Sequence, residues 1–162
     1  MHADHVITGI GIDLCEIARI RRALEGPQGA RFRARVFTDD EQRYCERRRA
    51  TRFQSYAARF AAKEAAMKAL GTGWGDGVAW RDIEVRRAEP AAPEIVLHGR
   101  AAEIARGRGM VRWHLALSHT AAAAIAWVLA EGTPLRAASR ATSASRRAVA
   151  GGSARRRPRG RR

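Results

Sequence analysis

The stretch RFAAKEAAMKALGTG, residues 59–73, belongs to the longest predicted helix and dominates the expected fold. It contains both lysines of the chain, Lys63 and Lys68, whereas the other 29 basic residues are arginines. A coding bias towards arginine explains the 29, but it does not explain two lysines within six positions that flank a glutamate. The pattern indicates local chemistry that needs an ammonium group and a carboxylate.

We expect this helix to run from about Thr51 to Leu70, with Gly71 as its C-terminal stop. Glu64 falls on its apolar stripe, whose members recur at spacings of three, four and seven: Phe53, Tyr56, Phe60 and Met67. A carboxylate that faces the interior is costly unless it is paired or coordinates a cation. The alternative is an ordinary ion pair between Glu64 and Lys68 on an exposed flank.

The remaining pattern predicts an α+β fold in a single domain, with an antiparallel sheet packed against the long helix. Thr38 and Glu41 form a capping box that opens another helix. The other predicted elements are a buried strand at 5–14, a helix at 15–24, strands at 80–88 and 93–99, a short helix at 100–107, and two paired strands at 110–119 and 121–132.

Asp13 is a second candidate carboxylate, at the junction of the first strand and the first helix. Followed three residues later by Glu16, it also has the pattern of a helix N-cap. Should Asp13 and Glu64 converge, the pair would suit Mg²⁺, which takes one or two carboxylates together with waters and phosphate oxygens. Both interpretations remain open at this point.

Three further features carry weaker signals. The glycine-rich loop GTGWGDG, residues 71–77, is no P-loop because no Lys-Ser/Thr pair follows, and alone it predicts only a loop. His119 stands at a predicted turn, where a lone histidine is more often structural than catalytic. Arg59 lies off the apolar stripe, which is typical of a solvated helix face.

The net charge of +15 is unevenly distributed. Residues 133–162 contain ten arginines and no acidic residue, which leaves +5 for residues 1–132. This tail has almost no large apolar side chain, so we expect it to be disordered. We therefore predict one globular domain at 1–132 and a separate arginine-rich tail.

The location predicted from the sequence is cytoplasmic. Cys15 and Cys45 are far apart and lack metal-ligand spacing, which is typical of free thiols in a reducing compartment. We expect neither a signal peptide nor a membrane span, because the apolar run 121–130 is too short to cross a bilayer.

Three motifs in this order and spacing resemble the holo-[acyl-carrier-protein] synthases, the small trimeric type of 4′-phosphopantetheinyl transferase. They are GIGIDLCEIARI (9–20), RFAAKEAAMKALGTG (59–73) and LALSHT (115–120). The resemblance covers residues 5–132 and excludes the tail. It implies the fold of that family, active sites between neighbouring subunits of a homotrimer, and transfer of phosphopantetheine from coenzyme A to a serine of an acyl carrier protein.

The resemblance also implies a role for each matching residue. Asp13 and Glu64 match the carboxylates that bind Mg²⁺, or Mn²⁺ in its place, and Lys68 matches the lysine that reaches the diphosphate. Glu64, directly or through a metal-bound water, is the candidate base for the serine hydroxyl. The positions that match the coenzyme A site are Arg59, Lys63, Lys68, Gly71, Thr72, Gly73 and His119.

In this family the first helix docks the carrier protein, and Arg19 and Arg22 match that basic face; Arg21 equally fits a solvated position. Acidic carrier proteins would complement such a face. Two other functions stay open at this stage. The tail would bind nucleic acid through phosphate contacts, and an inactive scaffold would require the carboxylates or Lys68 to be missing. The resemblance is compatible with a carrier protein of fatty-acid synthesis or of polyketide synthesis.

Overall fold

The RFAAKEAAMKAL sequence lies in the longest helix of a computed structural model, which describes residues 6–73, 76–87 and 91–133. This helix, α4, spans Arg52–Leu70, and thirteen of its 19 residues are buried. Most of the buried residues are alanines, which favour the helix and let other elements approach it closely on several sides. The helix ends at Gly71 in the left-handed conformation, with φ of 70°, so the predicted stop is confirmed.

Nine other helices and strands accompany α4 within the described part of the chain. They are β1 (Val6–Glu16), α1 (Ile17–Glu25), α2 (Gly29–Val36), α3 (Asp39–Arg47), β2 (Ile83–Arg86), β3 (Glu94–Leu97), α5 (Gly99–Gly107), β4 (Met110–His119) and β5 (Ala123–Gly132). Short 3₁₀ turns precede α4 and β2, at Arg49–Thr51 and Trp80–Asp82. The predicted α+β class is confirmed.

Two antiparallel sheets are present among these strands. The larger has the order β1-β5-β4, and the smaller pairs β2 with β3. The predicted hairpin of the last two strands is confirmed, with Leu117 opposite Ala126. The inner face of the larger sheet covers α4, which is therefore enclosed by the sheet on one side and by α1 and α3 on others.

Strand β1 crosses α4 at unusually close range because two glycines face the helix. A methyl group at Gly9 would overlap the carbonyl oxygen of Ala69, and one at Gly11 would overlap that of Ala65. The GIGID sequence therefore brings one backbone directly against another. Alternation along the strand then turns Asp13, two residues after Gly11, towards the same helix.

The opposite face of β1 contradicts the predicted buried strand. Ile10, Ile12 and Leu14 are 56%, 54% and 60% exposed, and Trp127 on the adjacent β5 is 52% exposed. An apolar run with β-branched residues predicts burial on both faces, but in one chain only the glycine face of β1 is covered. We call these four side chains the outer apolar face.

The predicted tail lies outside the described residues, which end at Thr133. In the described part of the chain, no helix is long and apolar enough to cross a membrane.

Candidate functional site

Asp13 lies inside β1, so its interpretation as a helix N-cap is wrong. The N-cap of α1 is Glu16, whose side chain makes no capping hydrogen bond. The Asp13 carboxylate instead accepts a hydrogen bond from Lys68, with 2.8 Å between Oδ1 and Nζ. The same ammonium donates to the carbonyl oxygen of Ile12 at 2.9 Å. Lys68 therefore ties the end of β1 to α4.

Glu64 reaches the same place from the helix. It is half-buried, and burial raises the pKa of its carboxyl group, as does the Asp13 carboxylate nearby; Lys68 and Arg19 act in the opposite direction. Within the described residues, no salt bridge within 4 Å involves Glu64, so the alternative interpretation, an ion pair with Lys68, is wrong. Lys68 pairs with Asp13 instead. Two carboxylates, only one of them paired, thus share one site.

The donor set at this site fits a hard cation. No group of three or more His, Cys, Asp or Glu side chains with metal-site geometry occurs among the described residues. Burial raises the pKa of the neighbouring Cys15 thiol to about 11, which disfavours the thiolate that a softer metal requires. Two carboxylates without further protein ligands suit Mg²⁺, since it keeps several waters and uses substrate phosphates.

A cleft of roughly 430 Å³ brings Arg59 and His119 together. Arg59 is only 4% exposed, so its interpretation as a solvated residue is wrong. Its guanidinium carbon lies 3.9 Å from the ring centroid of Tyr44, and its Nη1 donates to the Ser55 carbonyl at 3.3 Å. Its Nε is fully buried and has no hydrogen-bond partner in the described structure, while the guanidinium group acts on the Cys45 thiol.

His119 is the last residue of β4 and is exposed at the mouth of that cleft. The turn after it is fixed by Thr120, whose hydroxyl accepts hydrogen bonds from the backbone of Ala122 and Ala123, each at 3.2 Å. The histidine ring itself makes no such bond among the described contacts, and it lines the cleft.

The loop after α4 is shaped by its backbone. Gly71 and Gly73 have φ of 70° and 54°, a region that side chains other than glycine rarely adopt. Thr72 is buried, and its hydroxyl donates to the Met67 carbonyl at 3.4 Å. The guanidinium group of Arg108 lies against Gly71. The loop therefore presents mainly backbone groups, with one arginine that the sequence pattern did not indicate.

Lys63 contradicts its predicted place in the coenzyme A site. The side chain is fully buried, at 0% exposure, and its ammonium bonds to Glu41 Oε2 at 2.9 Å, to the Trp80 carbonyl at 3.0 Å, and to the Ile83 carbonyl. Burial lowers the pKa of Lys63, while the Glu41 carboxylate opposes that shift. A side chain enclosed in this way does not reach a ligand in the cleft.

Helix α1 presents the predicted basic face. Arg19, Arg21 and Arg22 are all exposed, although Arg21 also stacks on Phe53, with 4.7 Å between its guanidinium carbon and the ring centroid. Arg19 lies 5.5 Å from the Phe60 centroid and is close enough to Glu64 to act on its pKa. Arg22 borders a shallow groove between α1 and the start of β5.

Sequence reasoning missed most of the cleft wall. Tyr44 comes from α3, Arg48 directly follows that helix, and Arg87 follows β2. Arg48 donates to the Tyr44 hydroxyl at 2.9 Å, which holds the ring beside Arg59. Helix α3 is so rich in charged residues that no single arginine stands out in its sequence, and only the folded arrangement identifies these three.

Known proteins are similar to this chain over most of its length. A profile of the 4′-phosphopantetheinyl transferase superfamily matches residues 9–128. A holo-[acyl-carrier-protein] synthase of Anaeromyxobacter sp. strain K is 52% identical over 132 residues, covering 79% of this chain and 98% of that protein.

Two crystal structures of holo-[acyl-carrier-protein] synthases share this fold. The structure from Neisseria meningitidis gives a TM-score of 0.68 at 32% identity, over 77% of this chain and 98% of that one. The structure from Bacillus anthracis strain Ames, in complex with coenzyme A (3′,5′-ADP), gives 0.63 at 34% identity, over 78% and 97%.

Proposed function

The chain belongs to the 4′-phosphopantetheinyl transferase superfamily, and from that membership we propose that it is a holo-[acyl-carrier-protein] synthase. It transfers the 4′-phosphopantetheine group of coenzyme A to a serine of an apo acyl carrier protein and releases adenosine 3′,5′-bisphosphate. The observation that carries this proposal is the convergence of Asp13, Glu64 and Lys68 at one site, within a fold shared with synthases at 32% and 34% identity.

Asp13 and Glu64 are the residues that would hold Mg²⁺, with Mn²⁺ as a substitute. Asp13 is mostly buried, with 19% of its side chain exposed, and Glu64 lacks a salt-bridge partner among the described residues. When bound, the cation would neutralise charge on the diphosphate and stabilise the departing phosphate. The two carboxylates come from β1 and α4, so the direct backbone contact of those elements fixes the spacing of the ligands.

Lys68 and Glu64 carry the remaining chemistry in this proposal. The ammonium of Lys68 is half exposed beside the carboxylates, where a compact positive charge can approach the diphosphate oxygens. Glu64 accepts the proton of the attacking serine hydroxyl, and the raised pKa of its carboxyl group makes it a better proton acceptor than an ordinary glutamate. Preorganised charge of this kind is a major contribution to phosphoryl-group transfer.

Arg59, His119 and the loop of Gly71, Thr72 and Gly73 form the proposed coenzyme A site. The guanidinium group of Arg59 supports an anionic ligand in the cleft, because it lines the cleft and its positive charge would be complemented there. Backbone groups of the loop are available to the diphosphate because the Thr72 side chain is turned back to the helix.

The carrier protein would dock on α1 through Arg19 and Arg22. Both are exposed, and Arg19 is close enough to Glu64 to lower the pKa of that carboxyl group, so a docked acidic protein would deliver its serine beside the carboxylate pair. Complementary charge of this kind accelerates and orients the encounter. The partner is a carrier protein of fatty-acid or polyketide synthesis.

A homotrimer is the proposed assembly, in the cytoplasm. The outer apolar face supports it, because a monomer rarely leaves so large a contiguous apolar patch in contact with water. Light scattering of the purified protein should give the mass of three chains, and a monomer at working concentration would contradict the proposed assembly.

The deciding experiment is intact-mass spectrometry of an apo acyl carrier protein after incubation with the enzyme, coenzyme A and Mg²⁺. We expect a mass gain equal to one phosphopantetheine group. This gain should be absent in EDTA and with the Glu64→Gln variant. Glu103→Gln, which removes an exposed carboxylate on α5 that pairs with Arg100, is the matched control and should keep activity. No gain with several carrier proteins from the same source would overturn the proposal.

A further inference from the structure

Lys63 forms the centre of a sealed polar cluster inside the protein. All three donors of its ammonium have an acceptor: Glu41 Oε2 and the carbonyl oxygens of Trp80 and Ile83. Neither Lys63 nor Glu41 has any exposed side-chain surface. A charge pair without access to water is stabilised only by excellent geometry and full hydrogen bonding, and this one has both.

Glu41 extends the cluster to two other elements. Its Oε2 accepts a hydrogen bond from the Thr38 amide at 2.8 Å, which closes the capping box of α3. Its Oε1 accepts one from the Val85 amide of β2 at 3.0 Å. Through one lysine and one glutamate, the start of α3, the turn before β2 and β2 itself are all bound to α4.

The cluster lies behind the wall of the cleft that Arg59 and His119 line, which we call the nucleotide cleft. Tyr44 follows Glu41 by three residues on α3 and stacks on Arg59, which precedes Lys63 by one helical turn on α4. The residue that follows Lys63 in the sequence is Glu64. The contacts of Lys63 therefore determine how α3 sits relative to the helix that carries both the cleft arginine and the carboxylate.

We propose that Lys63 is a positioning residue, whose buried ammonium holds α3 against α4 and thereby sets the width of the nucleotide cleft, without itself touching coenzyme A. This inference rests on the proposed function for the identity of the ligand. It assigns to Glu41 an equal part in coenzyme A binding, although Glu41 has no surface in the cleft.

The geometry also accounts for lysine at this position in an arginine-rich chain. Three acceptors converge on a single nitrogen in a site without space for solvent. A planar guanidinium group spreads its five donors over a wider fork, so arginine would leave donors unsatisfied or displace β2.

Amine labelling of the native enzyme tests the placement, because Lys63 and Lys68 are the only lysines. With an amine-reactive ester and peptide mass spectrometry, we expect Lys68 to react in the folded protein and Lys63 to react only after unfolding in guanidinium. Coenzyme A should slow labelling of Lys68 and leave Lys63 unchanged. Reaction of Lys63 in the folded protein, slowed by coenzyme A, would overturn the proposal.

Kinetics of Glu41→Gln tests the positioning role with Lys63 intact. We expect the KM for coenzyme A to rise roughly tenfold, which is the smallest loss typical of residues that orient metal ligands without touching the metal. The changes in kcat and in the KM for the carrier protein should be smaller. Should Glu41→Gln not fold, the double variant Glu41→Gln/Lys63→Met removes both buried charges and should show the same selective rise.

Val128→Ala is the matched control, since it truncates a fully buried core residue of β5 outside the cluster. It should lower the melting temperature without changing the KM for coenzyme A. A folded Glu41→Gln variant with an unchanged KM for coenzyme A would overturn the inference. Absence of transfer by the wild-type enzyme would instead overturn the proposed function, so the two failures are distinguishable.

Discussion

Gly11→Ala adds one methyl group where strand β1 lies closest to helix α4. The new Cβ would overlap the Ala65 carbonyl oxygen and lie 2.9 Å from the Ala69 amide nitrogen, a distance that real Cβ atoms essentially never show. Both obstacles belong to the helix backbone, so no side-chain rotation relieves the clash. The strand has to move away by roughly 1.5 Å before ordinary contact distance is restored.

The expected cost follows from that displacement. Overpacking a core usually lowers the free energy of unfolding by about 1–3 kcal/mol. We expect a loss of about 3 kcal/mol for this variant, because a backbone obstacle cannot rotate out of the way. With a urea m value of about 2 kcal/mol/M, the unfolding midpoint falls by about 1.5 M. Asp13, on the same face of the strand, moves with it, and its 2.8 Å bond to Lys68 breaks. A misplacement of this size costs about 100-fold in turnover.

Urea unfolding at fixed protein concentration and the carrier-protein mass assay measure the two effects. Gly107→Ala is the matched control, because a methyl group there meets nothing within 4 Å. It should leave turnover unchanged and leave stability equal or slightly higher. A Gly11→Ala variant within about 0.5 kcal/mol of wild type, with normal turnover, would refute the argument that backbone contact fixes the site.

Three further predictions concern the carboxylate, the basic face and the tail. Burial raises the pKa of the Glu64 carboxyl group, so its contribution to stability is present below the unfolded pKa and is lost as pH rises through the folded pKa. In EDTA at pH 7, Glu64→Gln should therefore have a higher melting temperature than wild type while being inactive, and Mg²⁺ should narrow this difference in melting temperature. Equal melting temperatures in EDTA would contradict the raised pKa. Arg19→Ala and Arg22→Ala should raise the KM for the carrier protein, most strongly at low salt, and leave the KM for coenzyme A unchanged. Steady-state kinetics at two ionic strengths tests this prediction. A rise in KM that does not depend on salt would count against docking on α1. Truncation after Gly132 should abolish salt-dependent binding of nucleic acid and keep phosphopantetheine transfer. A filter-binding assay for nucleic acid, together with the mass assay for transfer, tests this prediction. Nucleic-acid binding by the truncated protein would place that activity in the domain.

The elements that were predicted well are those whose signal is local. The capping box of Thr38 and Glu41 and the Gly71 stop of α4 are satisfied by hydrogen bonds within a few residues, so sequence spacing is sufficient to identify them. Helix α2 was missed. Its sequence, GARFRARV, begins with glycine and is rich in arginine, and it is short enough that packing decides whether it forms.

The site residues that were misjudged depend on partners far away in the chain. Asp13 fits the spacing of an N-cap, and only its hydrogen bond with Lys68, 55 residues further on, shows another role. Lys63 and Arg59 are charged, and charged residues are rarely buried. Both are buried because Glu41 and Tyr44 receive them, and helical periodicity contains no information about those partners.

The backbone contact between β1 and α4 has a consequence for how this protein can change. Where side chains separate two elements, drift in their volumes gradually alters the spacing between groups on either side. Here the separation is set by the backbones of β1 and α4, so neutral substitutions elsewhere in the core have little effect on the distance between Asp13 and Glu64. Laboratory evolution of the core should therefore preserve the spacing of the two carboxylates, provided that Gly9 and Gly11 are left untouched.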